Sequence, residues 1–256
     1  MELNGQPAND ILAKKFQEMM NSITPEKEAE FEKKEQERLE YEAQVRINNS
    51  NEYSNLPKRF WTCRFEDFES TKESDKAKQL CVKENTDAVL LLFGSTGRGK
   101  TTMLASAIHE RAWKGLDGSR YFNIRDLELK LRKCRNFNTD EDEETFIRHL
   151  SNYPFLCIDE VGTCPNRKEE SDFLCEVLGA RYDNKLSTWV ATNLAPVDFK
   201  ALISNEDISG KTKEELVTWS EKKDMEHPIL NRIKSVAIPL VLTGESYRSA
   251  TNGNNI

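Results

Sequence analysis

Cysteine is present in this chain but never in a pattern. The six cysteines (Cys63, Cys81, Cys134, Cys157, Cys164 and Cys175) include no C-x-x-C pair and no Cys/His cluster. That excludes a zinc site of ordinary spacing and predicts buried thiols in a reducing compartment. Long apolar runs are missing too: the longest, Ala88–Phe93, is far too short to cross a bilayer. The opening residues MELNGQPAND lack the basic-then-apolar pattern of a secretory leader. Together these absences predict a soluble cytoplasmic protein with no membrane partner. Positive charge is not in excess, with 37 Lys and Arg against 44 Asp and Glu and a net charge of −7. A surface coated for bulk nucleic-acid binding is thereby excluded, although a local basic patch is not. There is no internal repeat.

What is present divides the chain. With 256 residues there is room for one α/β domain plus an appendage, or at most two small domains. Ile11, Leu12, Phe16, Met19, Met20 and Ile23 fall on one stripe of a helix starting near Asn9. Thr24 followed by Pro25 is a helix start, because a side-chain oxygen caps free amides and proline fits the first turn. The charged segment after it, EKEAEFEKKEQERLEYEAQVRI, suits an exposed helix. Its apolar positions (Phe31, Leu39, Val45) are too sparse for a coiled-coil seam. NNSNEYSNLP, residues 48–57, reads as a linker. The expected division is therefore a helical region at 1–50, an α/β domain at 51–248 and a disordered tail at 249–256.

From Leu56 onward, short apolar strands alternate with helical segments. Strands are expected near 88–93, 119–124, 154–159, 187–192 and 235–242. Helices are expected near 74–84, 100–114, 125–135, 168–183, 198–204 and 213–225. Such alternation implies right-handed crossovers and a mostly parallel sheet covered on both faces. NTDEDEE, residues 138–144, reads as an acidic loop.

The first strand runs into Gly94-Ser95-Thr96-Gly97-Arg98-Gly99-Lys100-Thr101, which matches G-x-x-x-x-G-K-[ST]. Glycines let successive N–H groups turn inward toward a polyphosphate, and the helix that follows presents its free amides and positive dipole end to the same anion. The cradle extends to Thr102. Lys100 would reach the outer phosphates, and the Thr101 hydroxyl would coordinate Mg²⁺. A second apolar strand, YPFLCIDE, ends in two acids. Asp159 would hold Mg²⁺ through water and Glu160 would activate an attacking water. A third, LSTWVATN, ends in Asn193, which at a strand tip between the other two could bond the terminal phosphate and the water.

The order of phosphate loop, Asp-Glu strand and polar strand tip resembles the AAA+ ATPases, and finer features resemble the DnaC/DnaI-type helicase loaders and their IstB relatives. Those features are LPKRFWTCRFEDFE (56–69), RYFNIRDLELKLR (120–132), and ILNRI followed by VAIPLVLTGESYR (229–248). The resemblance spans roughly 56–248. It implies a three-layer α/β sandwich with a five-stranded sheet in the order 5-1-4-3-2, a reduced or absent helical lid, and a helical N-terminal extension. It implies ATP hydrolysis with Mg²⁺ as cofactor, ATP-dependent self-assembly, and two partners: a hexameric replicative helicase of the DnaB type and single-stranded DNA. Residues 56–69 would line the adenine pocket. Lys100, Thr101, Asp159, Glu160 and Asn193 carry over their AAA+ roles. Arg232 falls where the family places an arginine that reaches a neighbouring subunit's terminal phosphate, with Arg181 and Arg248 as weaker candidates for that interface.

The chain also departs from the family. Pro228 stands where a basic residue is common, Asn231 stands in place of Asp, and 204–226 is longer than expected, with Thr212 and Glu215 forming a capping box. On RDLELKLRKCR, Leu127, Leu131 and Cys134 can face the sheet while Lys130, Arg132, Lys133 and Arg135 face outward as a candidate DNA contact. Three rival readings stand beside the loader: an IstB-like transposition helper, a phosphotransferase, and a nucleotide-switched adaptor without significant turnover.

Overall fold

The computed structural model describes residues 24–68, 71–83, 88–135 and 142–243. The helix expected near Asn9, the acidic residues up to 141, Arg248 and the tail lie outside the described residues. The chain divides into two compact units, 1–45 and 46–256.

In the first unit the helix start at Thr24 is present. Helix α1 runs Pro25–Tyr53, and the Thr24 carbonyl accepts from Glu28 N–H at 3.0 Å. Exposed side-chain pairs one turn apart line it, including Lys34–Glu30 at 2.7 Å and Gln36–Glu40 at 2.8 Å. Phe31 and Tyr41 are largely exposed. The break expected over 48–57 comes later: the helix continues through Tyr53, because Ile47 and Asn51 are buried and packing outweighs the poor helix propensity of asparagine.

The second unit is built on a parallel sheet of β1 (Val89–Phe93), β2 (Ser119–Asn123), β3 (Phe155–Val161), β4 (Ser187–Thr192) and β5 (Ala237–Val241), ordered β2-β3-β4-β1-β5. This is the expected 5-1-4-3-2 order read from the opposite edge. Helices α2 (Lys72–Cys81), α3 (Lys100–Trp113), α4 (Ile124–Arg135), α5 (Glu143–Asn152), α6 (Arg167–Asp183), α7 (Pro196–Ile203), α8 (Lys213–Glu226) and α9 (Pro228–Val236) complete it. Two 3₁₀ turns, Lys58–Phe60 and Phe65–Asp67, lie before α2.

Period-two alternation splits the core by face. Val89, Leu91 and Phe93 join Leu156, Ile158 and Val190 under α4–α7 and α9. Leu90 and Leu92 join Phe155, Cys157, Trp189 and Ala191 under α3. Helix α5 was not expected. Asp142 caps it by accepting from Thr145 N–H at 2.7 Å, so the end of the anticipated acidic loop is a helix start, and Phe146, Ile147 and Leu150 fill the core. The Thr212–Glu215 capping box is present and starts α8. Of the cysteines, Cys81, Cys134, Cys157 and Cys164 are buried while Cys63 and Cys175 are half-buried. Among the described residues no helix is long and apolar enough to cross a membrane.

Candidate functional site

Parallel pairing brings strand ends to a common edge. Phe93 pairs with Thr192 and Asn123 with Asp159. The loop after β1, the end of β3 and the tip of β4 therefore meet, as ligand sites in open α/β sheets do. They surround a cleft of about 280 Å³ lined by Thr96, Gly97, Gly99, Lys100, Thr101, Thr102, Asp159, Glu160 and Asn193, with Arg59 and Phe60 from the first 3₁₀ turn. Gly94, Ser95 and Arg98 stand outside the lining. Arg98 Nε donates to Ser95 Oγ at 3.1 Å and braces the loop. At Gly94 a Cβ would come within 2.8 Å of the Leu242 carbonyl, which explains glycine at the strand exit. Gly99 is left-handed, φ 80°, and forms the N-cap of α3.

Lys100 is buried, and its ammonium donates to the Gly94 carbonyl (2.6 Å), the Ser95 carbonyl (2.9 Å) and Asn193 Oδ1 (2.6 Å). All three acceptors are neutral. Burial pushes its pKa down, and the nearby charges of Asp159 and Glu160 partly offset that. A buried cation held only by neutral oxygens is matched to an anionic ligand.

Asp159 is 2 % exposed. Its Oδ2 accepts from Thr101 Oγ1 at 2.6 Å and Tyr121 OH at 2.9 Å, and its Oδ1 from Glu160 N–H at 2.8 Å. Burial first, then the Asp159 charge, pushes the Tyr121 phenol far up, so it stays a donor. A buried carboxylate with hydroxyl oxygens beside it, and no ion pair among the described residues, is a set of hard oxygen donors suited to Mg²⁺.

Glu160 differs from its neighbour. The register of β3 against β4 shifts between Ile158 and Val161, and Glu160 takes a left-handed φ of 58° that turns its side chain out to solvent. Such a conformation in a non-glycine residue is costly and concentrates at functional sites. Asn123 Nδ2 donates to Glu160 Oε2 at 2.6 Å. Sequence reading missed Asn123 and Tyr121, because nothing marks a residue near a strand end as facing a particular carboxylate until the β2–β3 register is known.

Arg232 lies on α9, half-exposed and away from the cleft lining, where it meets Asp183 Oδ2 at 3.4 Å. Arg181 is corrected: it is fully buried, donating to Thr188 Oγ1 (2.7 Å) and the carbonyls of Leu150 (2.9 Å), Tyr153 (2.8 Å) and Ser187 (2.6 Å). It cannot reach another subunit. On α4, Leu127, Leu131 and Cys134 face the core as expected. Of the outward basic residues, Arg132 is paired with Glu128 at 2.5 Å and Arg135 with Glu143 at 2.6 Å, while Lys130 lies 4.3 Å from the Phe146 ring centre. Much of that patch is already neutralised inside the fold.

The replicative helicase loader DnaC of Buchnera aphidicola subsp. Baizongia pistaciae (strain Bp) is 27 % identical over 186 residues, 68 % of this chain and 75 % of that protein. The insertion sequence IS232 ATP-binding protein of Bacillus thuringiensis subsp. berliner is 26 % identical over 162 residues, 62 % of this chain and only 55 % of the relative. A crystal structure of the DnaC helicase loader superposes with a TM-score of 0.52 at 19 % identity, covering 73 % of this chain and all (100 %) of that one, which shows a shared AAA+ fold. The sequence pattern of the IstB-like ATP binding proteins matches residues 10–254. The chain thus belongs to the IstB-like family of ATP-binding proteins and is a distant homologue of the DnaC loader.

Proposed function

We propose that this protein is an ATP-hydrolysing helicase loader. Its ATP-bound subunits associate, hold a hexameric replicative helicase of the DnaB type through residues 1–50, and help place it on single-stranded DNA in the cytoplasm. The observation that carries hydrolysis is the pairing of a buried Asp159 with an exposed, left-handed Glu160 at one end of the Lys100 cleft. What supports loading over other uses of the same engine is homology to DnaC.

Main-chain amides of 94–102 and the Lys100 ammonium hold the phosphates, the lysine exchanging neutral carbonyl partners for anionic oxygens. Thr101 and Asp159 would hold Mg²⁺, which when bound neutralises charge on the outer phosphates. Glu160 takes the proton of the attacking water at its carboxylate oxygens once Asn123 releases Oε2. Asn193 keeps Lys100 aligned and borders the same space. Arg232, exposed on the last helix, is offered to the cleft of an adjacent subunit, where it would stabilise charge developing at the terminal phosphate. Residues 51–248 form the ATPase domain in this reading.

The test uses Glu160→Gln, which keeps shape and hydrogen bonding but removes the base. Turnover should fall by about 10²–10⁴-fold with nucleotide affinity preserved, and ATP should then trap the protein on its cargo. Recovery of a hexameric helicase with the trapped protein is the expected result. An unchanged turnover refutes hydrolysis at this site. The IS232 relative and the family match favour a second reading, a transposition helper; recovery of a transposase in place of a helicase would establish it.

A further inference from the structure

We propose that Arg59 reads the third phosphate of the nucleotide from within the same chain, making it the residue that distinguishes ATP from ADP. This rests on the nucleotide-site reading above. A second cavity, of about 440 Å³, adjoins the phosphate cleft and is lined by Asn55, Pro57, Tyr121, Asn123 and Lys130 among others. Four residues border both cavities: Arg59, Thr101, Asp159 and Glu160. Three of these form the metal and water end of the site, and the fourth is a cation.

That cation is uncommitted. Among the described residues Arg59 makes no hydrogen bond and no ion pair, neither with Asp159 nor with Glu160. Its guanidinium carbon lies 4.7 Å from the centre of the Phe60 ring. Arg64, a few residues on, instead donates to the Cys63 carbonyl at 2.9 Å, and Arg98 to Ser95. The position of Arg59 is well fixed. In its 3₁₀ turn Phe60 N–H donates to the Pro57 carbonyl (2.9 Å) and Trp61 N–H to that of Lys58 (3.1 Å). Trp61 Nε1 donates to the Leu56 carbonyl at 2.8 Å, and Leu56 is buried while Phe60 and Trp61 pack on the α3 side of the sheet.

A guanidinium stacked on an aromatic face keeps its planar fork free for two oxygens of one phosphate. Standing beside Thr101, Asp159 and Glu160, it meets the terminal group, and ADP offers nothing there. Had it stacked on the base, ATP and ADP would feel it equally.

Calorimetric titration of the full chain with Mg²⁺ and either AMPPNP or ADP separates these cases. Arg59→Ala should weaken AMPPNP by about ten- to hundredfold, leave ADP within about twofold, and leave thermal stability unchanged because the side chain is exposed. Arg59→Lys, which keeps charge but loses the fork, should fall between. Equal weakening of both nucleotides, or weakening of neither, overturns the inference while leaving the Lys100 cradle standing. Failure of the unaltered protein to bind either nucleotide overturns both.

Discussion

Gly162 follows the Glu160 strand and leaves no room for a side chain against Leu194, the residue after Asn193, so substituting it tests how the two strand tips communicate. Its φ is +92°, and a Cβ built there would lie 2.5 Å from Leu194 Cδ1 and 2.7 Å from Leu194 Cγ. Gly162→Ala therefore carries two costs. The left-handed backbone costs an L-residue about 1–2 kcal/mol, and crowding a packed side chain adds about 1–3 kcal/mol. Gly210 isolates the first cost, since its φ is +84° and nothing lies within 4 Å of its would-be Cβ. A domain of this size loses about 2–4 °C in Tm per kcal/mol. Gly162→Ala should thus melt below Gly210→Ala by about 2–12 °C, the crowding term alone. The displaced Leu194 follows Asn193, whose Oδ1 holds Lys100 Nζ at 2.6 Å, and its N–H donates to Thr192 Oγ1 at 3.0 Å. Phosphate release should accordingly fall in Gly162→Ala and remain normal in Gly210→Ala. Differential scanning calorimetry and a phosphate-release assay on the two purified variants decide it. Coincident melting, or normal turnover in both, would refute the claim that Gly162 spaces the strand tips.

Two further outcomes follow from buried charge. Burial pulls the Arg181 pKa down to about 9, yet its guanidinium still satisfies three carbonyls and a hydroxyl. Arg181→Ala takes the side-chain donor from the three carbonyls, while the Thr188 hydroxyl keeps its bond to the Leu186 carbonyl at 3.2 Å, and should cost about 4 kcal/mol. A variant melting with the unaltered protein would sink that account and return Arg181 to consideration as an interface residue. His109, buried on α3, has its pKa lowered to about 4, chiefly by burial and further by the Arg64 guanidinium 3.0 Å from Nδ1, against the raising effect of its bond to the Cys63 carbonyl. Because the unfolded chain binds this proton near pH 6.5 and the folded one does not, stability should decline as pH falls from about 6.5 to 4, by up to about 3 kcal/mol. Urea titrations across that range, with His109→Gln as the control that removes the slope, check it; equal slopes in both proteins would remove His109 as the cause.

The legible parts of the sequence were those in which neighbouring residues carry the signal. The apolar run into Gly94–Thr101 and the run into Asp159–Glu160 placed β1 and β3 within two residues of their observed ends. Helix α5 is not legible, because DEE reads as the end of an acidic loop when it is an N-cap and a first turn. The arginines fared worst. Arg181, Arg132 and Arg135 look alike in sequence, yet one is locked in the core, one is ion-paired within its own helix to Glu128, and one is ion-paired across elements to Glu143.

By itself, the sequence determined the strands, the glycine turn and the acids that follow, since period-two burial and left-handed turns are properties of a few consecutive residues. The tertiary structure alone decided that Asn123 faces Glu160, that Tyr121 and Thr101 share Asp159, and that Arg59 stands uncommitted beside them. Those pairings join residues far apart along the chain. They arise from the register and order of parallel strands, which packing of the whole sheet fixes and no local segment encodes.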